Sequence, residues 1–179
     1  PLTTKVIVVN GVDTPRRVTI PAAANPGAGS GVTMTGAPAW RDVCTASDRI
    51  VGITNTEVQW GEALRLDIWP ALNVKSLMET HDLCVAIRPI GLLHVGIWKE
   101  RSFWIGEAKG GSSAAYFRWK MVKMVDGPAS PAALTHDSAG NWHWMTKIGR
   151  IVSMTESGFQ ISYPGDGVWP LVRPTMSPS

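Results

Sequence analysis

A regular alternation of apolar and charged side chains near the middle of the chain constrains its fold more than any other feature. Between 115 and 125, Phe117 and Trp119 alternate with Arg118 and Lys120, and this period of two is typical of a β-strand with one buried face. Segments of similar character come directly before it, at 83–90, 92–98 and 102–107. Successive strands without an intervening helical pattern predict an all-β chain.

The remaining segments add further strands and one short helix. A β-branched run at 5–9 ends in Asn10–Gly11, a strong turn signal. The segment 70–79 begins with proline and spaces its apolar residues as a helix does. Other predicted strands lie at 16–20, 32–35, 50–60, 64–68, 141–147, 148–156, 158–163 and 168–172. Short strands and frequent turns predict a jelly-roll-like β-sandwich of about eight to ten strands with one short helix.

The length and the loop composition predict one domain. A chain of 179 residues is long enough for one complete hydrophobic core and short for two. We therefore expect residues 1–179 to form a single β-sandwich domain. Proline and glycine mark an irregular N-terminal connector at 21–38, and a polar C-terminal tail follows at 173–179. Segments of this kind are ordered by a partner surface.

The scarcity of charge predicts a permanent assembly. Charged residues make up 17% of the chain, against roughly 25% in ordinary soluble domains. A chain with few charges must either be very compact or have much of its surface covered by partners, and we favour the second explanation. The sequence has no apolar run near the ~20 residues of a membrane span and no export signal at its start. We expect cytoplasmic synthesis and no membrane partner.

Basic residues provide only a weak case for contact with nucleic acid. The net charge is +3, and no run of basic residues is present to neutralise successive phosphates. Two groups remain as candidate contacts with a genomic nucleic acid, namely Arg16 with Arg17, and the strand face of Arg118, Lys120 and Lys123. Ordinary solvated strand faces are the alternative explanation of both groups.

The sequence predicts neither a catalytic residue nor a metal or cofactor site. Ser30, Ser112 and Ser113 lie among glycines but lack the strand–turn–helix context of a nucleophile. The histidines are too scattered along the chain for three ligands to converge. Cys44 and Cys84 have no metal-binding spacing, and we expect free thiols rather than a bridge. We therefore expect a protein that is not an enzyme.

Tryptophan is the most unusual component, with nine residues spread along the chain. Indole rings fill gaps between sheets and anchor interfaces, which explains most of them. Trp142 and Trp144 share one face of a predicted strand, and Asn141, Asp137 and His136 are their polar neighbours in sequence. A stacking platform for sugar rings or nucleobases is the alternative for this pair.

These observations favour a structural assembly protein over an enzyme. The first hypothesis is a viral or phage capsid subunit or capsid-decorating protein, located in the virion after synthesis in the host cytoplasm. Its partners would be copies of itself, another shell protein or both. The second hypothesis is a carbohydrate-binding β-sandwich module that uses Trp142 and Trp144.

Overall fold

The structure, a computed structural model, describes residues 4–20, 30–65, 68–157 and 159–164. The strands of these ranges are β1 (Thr4–Val8), β2 (Arg16–Ile20), β3 (Ser30–Thr33), β4 (Asp42–Ala46), β5 (Arg49–Ile53), β6 (Glu57–Trp60), β7 (Val74–Ser76), β8 (Cys84–Ile90), β9 (His94–Lys99), β10 (Ser102–Ala108), β11 (Phe117–Met124), β12 (Leu134–His136), β13 (Asn141–Met145), β14 (Ile151–Thr155) and β15 (Ile161–Ser162). Single 3₁₀ turns occur at Met78–Thr80, Ser113–Ala115 and Pro131–Ala133. The prediction of an all-β fold is confirmed.

Antiparallel pairing joins the strands into four sheets, each built from strands that are consecutive in sequence. Sheet 1 contains β1–β3, sheet 2 contains β4–β7, sheet 3 contains β8–β11 and sheet 4 contains β12–β15. A jelly roll also needs pairs between strands that are distant in sequence. Every strand pairing within the described ranges joins consecutive strands, so the jelly-roll connections that the sequence suggested are not found there.

The four sheets pack face to face in chain order. Sheet 3 lies in the middle, where Ile87 and Ile97 on one face pack with Val51 of sheet 2. Trp98 on the other face packs with Val152 of sheet 4. A smaller core joins sheet 1 to sheet 2 and consists of Met34, Ala37, Trp40 and Ile50, with Ile7, Val9, Val43 and Trp69 packed against it. Sheet 3 is therefore covered on both faces.

The turns lie at two opposite ends of this stack, because each strand reverses the direction of the one before it. At one end, Ser47 Oγ of sheet 2 donates a hydrogen bond to Leu92 O of sheet 3 at 3.0 Å. At the opposite end, the Cys84 N–H of sheet 3 donates to Asn55 O of sheet 2 at 2.8 Å. Hydrogen bonds thus join sheets 2 and 3 at both ends of the stack.

The helix predicted at 70–79 is wrong. Val74–Ser76 is instead β7, which pairs with β6, and Met78–Thr80 forms a single 3₁₀ turn. Leu77 lies in the core between sheets 2 and 3, and its N–H donates to Thr56 O at 2.8 Å. Pairing with a neighbouring strand outweighs the helical spacing, because a segment this short has little intrinsic helix stability.

Two predicted strands also differ from the structure. The segment 50–60 is two strands, because a turn intervenes in which the Glu57 N–H donates to Thr54 Oγ1 at 3.2 Å. In the segment 64–68, Leu64 lies in a turn with a φ of 56°, and 66–67 lie outside the described residues.

Parts of the sequence predictions fall on residues that the structure does not describe. The predicted strand at 168–172, the tail at 173–179 and residues 21–29 of the connector lie outside the described ranges. In the described part of the connector, the strand predicted at 32–35 forms β3 at Ser30–Thr33, two residues closer to the N-terminus.

Candidate functional site

The tryptophan pair predicted as a stacking platform is buried. Trp142 and Trp144 are 7% and 2% exposed, and their ring centroids lie 5.3 and 6.1 Å from that of Trp98. Successive residues of a strand point to opposite faces, so β13 directs both indoles toward sheet 3. The exposed pair that the stacking alternative required is therefore not found, and both rings belong to the core between sheets 3 and 4.

The outward face of sheet 4 brings together Ser153, His143 and Asp137, which we call the outer-face triad. His143 on β13 lies directly opposite Ser153 on β14, and Ser153 Oγ is 2.6 Å from His143 Nδ1. His143 Nε2 is 2.9 Å from Asp137 Oδ2. The sheet and its turn thus place a hydroxyl and a carboxylate on the two ring nitrogens of one imidazole.

Asp137 is fixed by the turn between β12 and β13. Its carboxylate accepts hydrogen bonds from the backbone N–H groups of Ala139 at 2.9 Å and Asn141 at 2.8 Å, and from Asn141 Nδ2 at 3.0 Å. The hydrogen bond from His143, followed by those from Asn141, holds the pKa of the Asp137 carboxyl well below its usual range. Asp137 is therefore ionised at neutral pH.

An ionised carboxylate selects the tautomer of a neighbouring neutral imidazole. Because the Asp137 carboxylate can only accept hydrogen bonds, the neutral His143 ring carries its proton on Nε2 and donates it to Oδ2. The unprotonated Nδ1 then accepts the hydrogen bond of the Ser153 hydroxyl. In this arrangement His143 is a base directed at Ser153.

The other predicted polar neighbour of the tryptophans lies in a separate contact. The His136 ring centroid is 4.7 Å from that of Trp142, and His136 Nε2 is 3.4 Å from Glu156 Oε2. His136 therefore covers Trp142 and pairs with the turn after β14.

The basic residues predicted to contact nucleic acid lie in two different sheets. Arg118, Lys120 and Lys123 are exposed on β11, an edge strand of sheet 3. Their partners alternate along β10, so these three side chains share one face. Arg16 and Arg17 are consecutive on β2 of sheet 1 and point to opposite faces. The structure thus groups the first three and separates the doublet.

One end of the sheet stack exposes four leucines, and we call it the leucine end. Their exposed fractions are 89% for Leu92, 80% for Leu64, 78% for Leu72 and 57% for Leu93. Leu92 and Leu64 adjoin the same turn, because Leu92 O accepts from Ser47 Oγ and the Leu64 N–H donates to Asp48 O at 2.8 Å. Apolar side chains gathered at turns are typical of a contact surface.

A buried polar cluster holds the leucine end in place. Ser113 Oγ accepts hydrogen bonds from Asn73 Nδ2 at 2.7 Å and from Arg49 Nη1 at 3.2 Å. Trp60 Nε1 donates to Ser113 O at 2.8 Å, and Arg49 Nη1 donates to Gly61 O at 2.7 Å. The loops of sheets 2 and 3 are therefore tied together, and the leucines stand on a fixed backbone.

Sequence reasoning missed both the leucine end and the outer-face triad. The alternation along 141–145 does predict that His143 lies on the opposite face of the strand from the two tryptophans. Its partner Ser153 follows only from the pairing register of β13 and β14, which the local pattern does not specify. The leucines belong to three different turns, and their common location requires the packing of the sheets.

The remaining findings assign no function to the chain. Within the described residues, no group of three or more His, Cys, Asp or Glu side chains is placed to hold a metal ion. In the same part of the chain, no helix combines the length and the apolar character needed to cross a membrane. No protein-family model matches the chain, and no curated protein matches it in sequence.

Proposed function

We propose that this chain is a structural assembly protein, specifically a subunit or a decorating protein of a viral or phage capsid. Its partners are copies of itself, another shell protein or both, and its place is the virion after synthesis in the host cytoplasm. That role requires no enzymatic activity. The carbohydrate-binding alternative required an exposed tryptophan pair, and the burial of Trp142 and Trp144 leaves it without support.

The leucine end is the observation that carries this proposal. Burying one leucine side chain contributes roughly 1.5–3 kcal/mol, so the four exposed leucines together contribute on the order of 10 kcal/mol. Association itself costs about 4–15 kcal/mol in lost translational and rotational freedom. A single such contact is therefore weak, and lasting assembly needs the same contact repeated in a closed structure.

The charge distribution supports the same proposal. Only 17% of the residues are charged, so few like charges oppose the approach of a second copy. The row of Arg118, Lys120 and Lys123 on β11 would give weak, salt-dependent contact with a genome if that edge faced the capsid interior. Three charges on one strand neutralise few phosphates, which is why nucleic acid has a minor part in the proposal.

Substitution at the leucine end tests the proposal. We expect the full chain to form oligomers and the Leu92→Lys/Leu93→Lys variant to be monomeric, because the introduced charges cannot be buried without partners. Size-exclusion chromatography with light scattering over a range of protein concentrations measures this. Both side chains are exposed, so the circular dichroism spectrum should be unchanged.

Met78→Lys is the matched control. Met78 is 55% exposed, similar to Leu93, but it follows β7 at the opposite end of the stack, so its substitution should leave the oligomer intact. A wild-type chain that stays monomeric at every concentration would contradict the proposal. Equal effects of the two substitutions would contradict the assignment of the leucine end.

A further inference from the structure

We propose that Ser153 is a nucleophile, activated by His143, that accepts the acyl group of small esters and the phosphonyl group of reactive phosphonates. The proposal goes beyond the assembly role and does not rest on it. It uses the outward face of sheet 4, whereas assembly uses the leucine end. It also revises the expectation, drawn from the sequence, that the chain carries no catalytic residue.

The geometry meets the requirements for an activated serine. Such a serine needs a hydrogen bond to a base, and the base needs a third group that orients it. Ser153 Oγ lies 2.6 Å from His143 Nδ1, and His143 Nε2 lies 2.9 Å from Asp137 Oδ2. The side chains of His143 and Asp137 are 33% and 37% exposed, so a small molecule can approach the triad from solvent.

The imidazole ring of His143 is reversed relative to the histidine ring in the triad of serine proteases. In the Ser–His–Asp triad of serine proteases, Nε2 faces the serine and Nδ1 faces the aspartate. In this chain Nδ1 faces Ser153 and Nε2 faces Asp137. The roles are unchanged, because either imidazole nitrogen is a base when the other carries the proton.

The turn-forming role of Asp137 does not account for the whole arrangement. The backbone N–H groups of Ala139 and Asn141 bind Oδ1 of Asp137, whereas His143 binds Oδ2. The turn is therefore complete without the imidazole. The contact between His143 and Ser153 joins two residues whose strands are already paired through their backbones, so strand pairing does not require it either.

The reaction with an ester proceeds in two balanced halves. Ser153 Oγ forms a bond to the carbonyl carbon while its proton moves to His143 Nδ1, and the ester C–O bond then breaks as the leaving alkoxide takes that proton. Water next attacks the acyl carbon and gives a proton to His143. The bond from the acyl carbon to Oγ breaks, and Oγ regains the proton.

An alkyl fluorophosphonate tests the nucleophile directly. Oγ forms a bond to phosphorus, the P–F bond breaks, and fluoride leaves with the proton from His143, so a stable adduct remains. We expect mass spectrometry of the labelled full chain to locate the adduct on Ser153. We expect His143→Gln to slow labelling by about 100-fold, the lower range for general-base catalysis, and Ser153→Ala to abolish it.

Two controls separate activation from simple exposure. Ser162 lies opposite Ser153 on β15, and Ser162→Ala should be labelled at the wild-type rate. Wild-type protein unfolded in urea should lose labelling at Ser153, because the triad exists only in the folded sheet. Absence of an adduct on folded wild-type Ser153, equal labelling in urea, or wild-type labelling of a folded His143→Gln variant would each overturn the proposal.

Asp137 is a positioning residue in this proposal, and its test uses the ring proton. In Asp137→Asn, Oδ1 still accepts the backbone hydrogen bonds of the turn, but the side-chain amide donates to His143 Nε2. The ring proton then moves to Nδ1, and the base directed at Ser153 is lost. Nitrogen-15 NMR of the imidazole should show this exchange together with slower labelling. An unchanged tautomer with wild-type labelling would exclude the positioning role.

Discussion

Lys99 is a charged residue that is fully buried. The folded protein tolerates its buried charge because the ammonium group is completely paired. Nζ donates to Leu77 O at 2.5 Å and to Thr80 Oγ1 at 2.7 Å, and it lies 3.1 Å from Asp82 Oδ1. All three N–H groups therefore have acceptors. A buried ion pair of this kind is costly to break, because the remaining charge is left without a partner.

Opposing effects act on the ionisation of Asp82. Burial is the largest single effect and favours a higher pKa of its carboxyl. Together, however, the hydrogen bonds outweigh burial and lower the pKa; they come from Thr80, the Arg101 backbone N–H, Lys99 and Ser102. Because the folded-state pKa is depressed, the stabilisation is present above the ordinary carboxyl pKa of about 3.9. It is lost as the pH falls through the folded-state value.

We predict that Asp82→Asn destabilises the fold by about 3–5 kcal/mol at pH 7, because it leaves Lys99 buried without its counter-charge. Urea denaturation measures the loss, and repetition at pH 3 should show a smaller difference from the wild type. The double variant Asp82→Asn/Lys99→Met should regain much of the stability. A loss under about 0.5 kcal/mol, typical of surface substitutions, would show that the pair contributes nothing.

The two cysteines are free thiols, as the sequence led us to expect. Burial, followed by the nearby Asp42 carboxylate, raises the pKa of the Cys44 thiol to about 12. Burial likewise raises the pKa of the Cys84 thiol to about 12. Both remain protonated at neutral pH, so they act as small apolar side chains of the strands β4 and β8.

At the scale of the elements, tryptophan rings pack against glycines of the strands. A Cβ at Gly52 would lie 2.3 Å from Trp40 Cδ2, and a Cβ at Gly106 would lie 2.4 Å from Trp119 Cζ3. Gly106 and Trp119 are direct partners in the pairing of β10 with β11. The missing side chain of glycine thus provides the space that the large indole needs.

We predict that Gly106→Ala destabilises the protein by about 1–3 kcal/mol, because the added methyl group overlaps the Trp119 ring and forces it to move. Thermal unfolding followed by circular dichroism measures the loss. Gly31→Ala on β3 is the matched control, since its Cβ would meet only Val18 Cγ2 at 4.0 Å. A similar loss in both variants would mean that strand geometry, and not the indole, sets the requirement.

At the scale of the whole molecule, sheet 3 connects sheets 2 and 4. Arg88 on β8 pairs with Asp42 on β4 at 2.5 Å and donates to Pro131 O, just before sheet 4, at 3.2 Å. Both faces of sheet 3 contribute to a core. If sheet 3 unfolds, the faces of sheets 2 and 4 that pack against it become exposed to solvent.

We predict that sheets 2, 3 and 4 unfold in a single cooperative transition. Tryptophans lie in the cores on both faces of sheet 3, so their fluorescence reports on packing, while far-ultraviolet circular dichroism reports on the strands. The two denaturation curves should coincide. A separate early fluorescence transition would show that one layer unfolds independently of sheet 3.

The sequence by itself determined the strands and most of their order. Period-two alternation is a local property of a strand, so β8 to β11 and the turn at Asn10–Gly11 were predictable from short windows of residues. The same local rule predicted that His143 and Trp142 lie on opposite faces of their strand. It failed at 70–79, where the apolar residues have a helical spacing but only Leu77 lies in a core, while Met78 is exposed.

Only the tertiary structure decided which faces are covered and which side chains meet. An alternating strand has an apolar face, but the pattern does not say whether that face meets a sheet, a ligand or a partner. The packing of sheet 4 on sheet 3 therefore turned Trp142 and Trp144 into core residues. The register of β13 with β14 set His143 beside Ser153, because pairing depends on contacts between residues that no local pattern links.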